Sequence, residues 1–152
     1  MSNIIPVSMR IAIAKYIFQN IGIANVGDAT GLRPSAVAGS LYWSLHSANP
    51  GEAGTQVTSE ISYTGYARLA SARSSAGFAV DAATGAISNA AVLTWGTCTA
   101  GTATATHWGV GYNASGAGSL VLSGALNSSL VITTTTNSIV SAAIGALISN
   151  HT

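Results

Sequence analysis

The sequence carries few side chains that could do catalytic chemistry, and they are scattered along the chain. Its four carboxylates are Asp28, Glu52, Glu60 and Asp81. Glu52 and Glu60 fall in one predicted loop and could approach each other, as the paired carboxyls of a glycosidase must, at about 5 to 9 Å. Loop carboxylates without an aromatic platform beside them are usually solvated, so we expect no acid/base pair here.

Cys98 and His107 are the other pair with reactive potential. A histidine that accepts the proton of a thiol is the arrangement of thiol hydrolases. The sequence offers no third group to orient His107, and a cysteine among small residues is also typical of a buried core position. We therefore expect no enzyme, and a small hydrolase using Cys98 and His107 stays as an alternative.

The histidines give no metal-binding pattern. His46, His107 and His151 are far apart in the sequence, and they lack the spacings of common zinc sites. We expect neither a metal nor another cofactor, and we interpret His46 as an ordinary strand histidine.

Aromatic side chains near Ser- and Asn-rich loops could bind a carbohydrate or a protein surface. Tyr63, Tyr66 and Tyr112 are the candidates for this role. The competing hypothesis, which we favour, is that they close corners of the fold or pack at subunit contacts.

Charge is scarce in this chain and limits its partners. Nine of the 152 residues are charged, which is 6%, and the net charge is +1. Without a cluster of Lys and Arg to neutralise phosphates, we expect no binding to nucleic acid or to a membrane. A surface with so little charge does not keep copies apart, and it predicts that much of the surface is covered by copies of the chain or by a partner.

One helix is predicted before the β region. From Ser8 to about Ile21 apolar residues recur at spacings of three and four, with Ser8 placed to cap the helix and Gly22 placed to end it. The stripe could pack on the chain's own sheet, which we favour, or dock on a neighbouring subunit. Its candidate contact residues are Ile11, Ile17 and Phe18.

After residue 27, short apolar runs alternate with Gly, Asn, Ser and Pro clusters, which is typical of many-stranded β proteins. Ser40 to His46 is a clear alternating strand, and the last predicted runs are 120–122, 129–134 and 139–148. About eight such runs predict an antiparallel β-sandwich or jelly roll with one N-terminal α-helix. We divide the chain into a helical arm, 1–26, and a β-sandwich domain, 27–152, which form one globular unit. The predicted core consists of Trp43, Phe78, Leu93, Trp95, Trp108, Leu120, Leu122 and Leu130.

Several segments carry a resemblance to a known family. The run LYWSLHSANPGEAG at 41–54 resembles the L-Y-x-S-L-H-T-A-D-P-G-E-A-G stretch of small tailed-phage virion proteins, with Asn49 in place of the expected Asp. Segments 63–68, 88–91, 105–111 and 115–120 are similar to the same proteins, so the resemblance extends from about residue 9 to about residue 147. Proteins of this kind are commonly labelled tail fibre protein, and their size and strand pattern also resemble capsid cement, or decoration, proteins.

The resemblance implies a non-enzymatic structural protein of the virion, made in the cytoplasm of the bacterial host. We expect a capsid cement protein, a homodimer or homotrimer that binds the major capsid protein on the outside of the shell and stabilises it. A fibre is elongated and repetitive, whereas this chain has no repeats and no coiled-coil shaft. The expected contact elements are the helix and the loop from Asn49 to Glu60, which includes Glu52.

Two alternatives to a cement protein remain besides the hydrolase. A tail-fibre or tail-tip subunit would bind a glycan of the host surface. A free binding domain would be a monomer in solution.

Overall fold

The computed structural model describes residues 5–137 and 139–148. One helix, α1 (Val7–Gln19), precedes the strands, and no helix in the described ranges is long and apolar enough to cross a membrane. The predicted fold class, a mainly β antiparallel protein with one N-terminal helix, is confirmed. The eight strands are β1 (Ser40–His46), β2 (Leu69–Ala72), β3 (Phe78–Val80), β4 (Ile87–Asn89), β5 (Leu93–Thr94), β6 (Ala103–Gly111), β7 (Leu120–Ile132) and β8 (Ser141–Ala142).

A four-stranded antiparallel sheet forms the centre of the molecule, with the strand order β2-β1-β6-β7. Its register places Trp43 of β1 opposite Val110 of β6, and Leu45 opposite Trp108. β3 pairs with β4, and β5 pairs with β8, each as a two-stranded antiparallel sheet. Residues of the central sheet, of β3, β4 and β5 and of α1 belong to one buried apolar cluster, so the smaller sheets and the helix pack on the central sheet.

Aromatic rings form the middle of this core. The ring of Trp43 stacks on that of Phe78 with 5.5 Å between centroids, and it lies tilted against Trp108 at the same distance. The ring of Phe18 in α1 packs on that of Phe78 with 5.3 Å between centroids, which attaches the helix to its own chain. Aromatic pairs at these separations stabilise a core beyond the area that they bury.

Five of the eight predicted core residues are buried and three are not. Trp43, Phe78, Leu93, Trp95 and Trp108 are at most 5% exposed. Leu120, Leu122 and Leu130 are only half-buried. Leu122 and Leu130 still pack against the core, whereas the prediction is wrong for Leu120. All three lie on β7, which among the described residues is an edge strand that pairs with β6 alone.

The ends of α1 differ from those predicted. Ser8 does not cap the helix: Pro6 precedes the first turn, and its side chain has no polar atom to act as a cap. The chain leaves the helix at Asn20, whose φ of 55° is left-handed, rather than at Gly22. Asparagine adopts this conformation more readily than most residues, which explains the earlier end.

The last strands also differ from the prediction. Run 120–122 and residues 129–132 of run 129–134 are parts of one strand, β7, whose pairing with β6 is irregular in two places. The predicted run 139–148 contains only the short strand β8. The rest of that run is held by backbone bonds, such as that from the Gly145 amide to the Asn89 carbonyl oxygen. The side chain of Asn89 adds two more: it donates to the Ala143 carbonyl oxygen and accepts from the Leu147 amide.

Candidate functional site

The second face of the central sheet is covered by the loop that follows β1. Alternate residues of a strand face opposite sides of a sheet, so Ser44 and His46 lie on the side opposite Trp43. Both are fully buried, although the polar residues of an alternating strand commonly face solvent. They are buried because residues 47–60 fold back over them, with the Thr58 carbonyl oxygen 2.8 Å from His46 Nδ1.

His46 joins this loop to the sheet as a neutral imidazole. A carbonyl oxygen can only accept, so Nδ1 carries the hydrogen donated to Thr58, and Nε2 accepts from Ser44 Oγ at 2.8 Å. Burial lowers the pKa of His46, because the charged imidazolium loses its hydration. The sheet and the loop are therefore connected by a side chain that carries no charge at neutral pH.

Gln56 connects the same loop to the loop that follows β6. Its side chain is fully buried, its Nε2 donates to the Asn113 carbonyl oxygen at 3.1 Å, and its Oε1 accepts from the Asn113 amide at 2.9 Å. A Cβ on Gly111 or Gly118 would overlap the Gln56 side chain. Both positions therefore require glycine, because the buried Gln56 side chain occupies the space that a larger residue would need.

Glu60, at the end of the loop, is held by an ion pair. Arg68 Nε and Nη2 donate to the two carboxylate oxygens of Glu60, both at 2.7 Å, and Arg68 Nη1 donates to the Asn113 carbonyl oxygen at 3.0 Å. Tyr66 donates its hydroxyl to Glu60 Oε1 at 3.1 Å and accepts from the Leu45 amide. The bond to Glu60 raises the pKa of Arg68, and burial raises the pKa of Tyr66.

This network fixes a loop that brings two predicted contact residues, Asn49 and Glu52, close to His107, which was considered for the hydrolase alternative. Asn49 Oδ1 accepts from the Gly51 amide at 3.0 Å, which closes the first turn of the loop. Asn49 and Glu52 then face His107 of β6 and Ser123 of β7 across one cavity of about 360 Å³. Small-molecule sites commonly have volumes of about 300 to 1,000 Å³. An amide, a carboxylate, an imidazole and a hydroxyl together can bond the hydroxyl groups of a neutral ligand.

The other predicted contact residues lie elsewhere. Phe18 and Tyr63 belong to the chain's own core, at 3% and 6% exposure, and Tyr63 donates to the Gly96 carbonyl oxygen. Ile11 and Ile17 are half-buried on the helix, and Tyr66 and Glu60 are occupied in the network described above. Tyr112 is 57% exposed at the end of β6.

The residues considered for catalysis are not paired. Cys98 is buried, and its thiol lies 3.7 Å from the Ala100 and Gly101 carbonyl oxygens, whereas His107 Nδ1 bonds to Thr106 Oγ1 at 2.8 Å. Glu52 and Glu60 line different cavities. In residues 5–137 and 139–148, no three His, Cys, Asp or Glu side chains are grouped to hold a metal ion. His151 lies outside the described residues.

Sequence reasoning missed Gln56, Arg68 and Asn113 as residues that position the site. The sequence did contain one signal for Arg68. It carries the opposite charge to Glu60 and lies eight positions after it, in a chain with only nine charged residues. The roles of Gln56 and Asn113 depend on residues 57 positions apart and left no local signal.

A protein-family model matches most of this chain. No curated protein matches the sequence. The model of a family described as Podophage GP4 fiber I protein gp80 matches residues 28–149, which is most of the chain and begins after α1. This match confirms, at the level of the protein family, the resemblance to phage virion proteins. The chain belongs to the Gp80 family of podophage GP4 fiber I proteins.

Proposed function

We propose that the chain is a non-enzymatic structural subunit of a podophage fibre and is present in the assembled virion. The observation that carries this proposal is the family match, whose span of 28–149 includes the whole central sheet and both loops of the candidate site. The buried bonds of His46, Gln56 and Glu60 support a structural role, because they hold the surface loops in one conformation. The family's name favours a fibre over the capsid surface that we expected from the sequence.

Capsid decoration, with the major capsid protein as the partner, is the second candidate. It is supported by the packing of α1 on its own chain through Phe18, which makes the described residues one unit without an extended arm. The low charge also suits broad, non-ionic contacts with a shell.

Electron microscopy of purified phage with gold-labelled antibodies against the chain distinguishes the two locations. We expect gold on the fibres. Gold on the capsid shell would replace the fibre proposal with capsid decoration, and particles without gold and without the chain in their protein profile would overturn both.

We further propose that the cavity of Asn49, Glu52, His107 and Ser123 binds a neutral glycan of the host surface. Its hydrogen-bonding side chains and its volume of about 360 Å³ support this ligand class. Adhesion of the purified protein to host cells should decrease at least about tenfold in Asn49→Ala and in His107→Ala, because each variant removes a polar contact to the ligand. Val57→Ala, an exposed position in the same loop that does not line this cavity, is the control. Equal adhesion of all variants would exclude this cavity.

A further inference from the structure

A mainly apolar cavity of about 280 Å³ lies between α1 and β7. Part of its wall belongs to the core of the chain, since Ala14, Phe18 and Ile87 are at most 5% exposed. Ile5 and Ile13 also line the cavity and are exposed, so it is open to solvent. Its volume is close to the lower end of the range of small-molecule sites, about 300 to 1,000 Å³.

Arg10 places a positive charge in this cavity. Among the described lining residues, Arg10 alone has a polar side chain. Its Nε is buried and has no hydrogen-bond partner. The salt bridge of the described residues joins Glu60 to Arg68, so none of the described carboxylates neutralises Arg10. A buried donor that has lost its water and gained no acceptor is unfavourable, and a ligand that supplies an acceptor there would gain affinity.

The other partly buried arginines do have acceptors. Arg68 donates to the carboxylate of Glu60 and to a backbone carbonyl oxygen. Arg73 donates to three backbone carbonyl oxygens. Arg33 is exposed, where water can solvate it. The missing acceptor is therefore a feature of the cavity that Arg10 lines.

Both ends of α1 are attached to the β region, which fixes the shape of the cavity. Near the start of the helix, Arg10 packs on the turn at Gly85, where an added Cβ would lie 3.5 Å from the Cβ of Arg10. Near its end, Gln19 Nε2 donates to the Phe78 carbonyl oxygen at 2.8 Å. A ligand would enter a cavity whose walls are already ordered, and ordering would take little from its affinity.

The lining selects for a ligand with one anionic end and an apolar body. The planar guanidinium of arginine matches the two oxygens of a carboxylate. The aliphatic and aromatic side chains of the lining suit a hydrocarbon chain. A peptide or a sugar would bring several polar groups into the cavity, and a single polar side chain would leave most of them without a partner.

We propose that the cavity between α1 and β7 binds a medium-chain fatty acid. The carboxylate of the fatty acid pairs with the guanidinium of Arg10, and its aliphatic chain lies against Ile13, Ile17 and Leu122. This cavity shares no described lining residue with the cavity of Asn49 and His107. The fatty-acid site is therefore independent of the glycan proposal and of the location of the chain in the virion.

Calorimetric titration of the purified chain with octanoate tests the proposal. We expect a dissociation constant below about 1 mM. Hexanoate should bind about tenfold more weakly, because it buries two fewer methylene groups. Octanol has the same chain length without the charge, and it should also bind at least about tenfold more weakly than octanoate.

Two variants test the role of the charge. Arg10→Met keeps an unbranched side chain of similar length and should weaken octanoate binding at least about tenfold, with octanol binding unchanged within about twofold. Arg33→Met, which removes an exposed arginine outside the cavity, should bind octanoate as the wild type does. A wild type that does not bind octanoate at about 10 mM, or equal binding by Arg10→Met and the wild type, would overturn the proposal.

Nuclear magnetic resonance of the wild type keeps the proposal testable if Arg10→Met does not fold. Octanoate should shift the Nε–H signal of Arg10 and the methyl signals of Ile13, Ile17 and Leu122. The methyl signals of Val92, which is exposed and does not line the cavity, should not move. Shifts confined to other residues would overturn the proposal. So would cavity signals that change on dilution and do not respond to octanoate, since a second copy of the chain would then fill the cavity.

Discussion

At the scale of single residues, a buried amide holds a segment that has little regular secondary structure. Asn89 is fully buried, and its Nδ2 donates to the Ala91 and Ala143 carbonyl oxygens at 2.9 and 2.7 Å. Its Oδ1 accepts from the Leu147 amide at 3.1 Å. This side chain thus helps to fix the segment that contains β8, together with the pairing of β8 with β5.

Replacement of this amide should be costly. Asn89→Ala leaves three backbone groups without their partner, and we expect the free energy of unfolding to decrease by about 2 to 4 kcal/mol. Urea denaturation measures the change. Asn127→Ala, at an exposed position of β7, is the control and should change it by less than about 0.5 kcal/mol. Equal effects of the two variants would contradict the role of Asn89.

His46 should make the stability depend on pH. Burial lowers its pKa in the folded protein, so below the ordinary value of about 6.5 the unfolded chain binds a proton that the folded chain does not. The contribution of His46 is therefore complete above pH 6.5 and is lost as the pH falls through the folded pKa.

Urea denaturation at about pH 7.5 and about pH 5 tests this dependence on His46. The free energy of unfolding should be lower at pH 5 for the wild type, and His46→Gln should reduce the difference between the two pH values. His107→Gln retains His46 and should retain the difference. A wild-type stability that rises on acidification over this range would contradict the prediction.

At the scale of elements, an arginine from another part of the chain holds the end of α1. Arg73 Nε and Nη2 donate to the Ile17 and Tyr16 carbonyl oxygens at 2.6 and 2.9 Å, and Nη1 donates to the Ala38 carbonyl oxygen at 3.0 Å. The last carbonyls of a helix lack partners within the helix, and a cation there also interacts favourably with the helix dipole. Together with Phe18, Arg73 joins the helix to the β region that the family match covers.

Arg73→Met should loosen this end of the helix. We expect a loss of about 2 kcal/mol in the free energy of unfolding, together with faster hydrogen exchange in the last turn of α1. Arg33→Met, which removes an exposed arginine, is the control. Exchange that is unchanged in Arg73→Met would show that Phe18 holds the helix without this cap.

At the scale of the whole molecule, low charge predicts contacts that do not depend on salt. The described residues contain one salt bridge, Glu60 with Arg68, and it is internal. In about 1 M NaCl the Debye length decreases to about 3 Å, which screens exposed ion pairs and leaves apolar contacts and strand pairing in place. The chain should stay bound to purified phage particles after a wash of this strength, as judged by sedimentation and gel analysis. Release by salt alone would show that charged contacts dominate its attachment.

The sequence by itself determined the local structure. Apolar spacing of three and four residues placed α1 to within two residues, and alternation placed β1 at Ser40–His46, because these periods follow from the geometry of one helix or one strand. The low charge of the chain, with nine charged residues, also follows from the sequence alone. The end at Asn20 was missed because Asn and Gly can both adopt the left-handed conformation.

Only the tertiary structure decided what lies on each face of the central sheet. The alternating pattern of β1 cannot show that Ser44 and His46 are buried, since their cover comes from a loop held by Gln56 and Arg68. Asn49 and His107 meet at one cavity because β1 and β6 are neighbours, although the residues are far apart in the sequence. Contacts of this range depend on strand order, and strand order is set by how the whole core packs rather than by any local pattern.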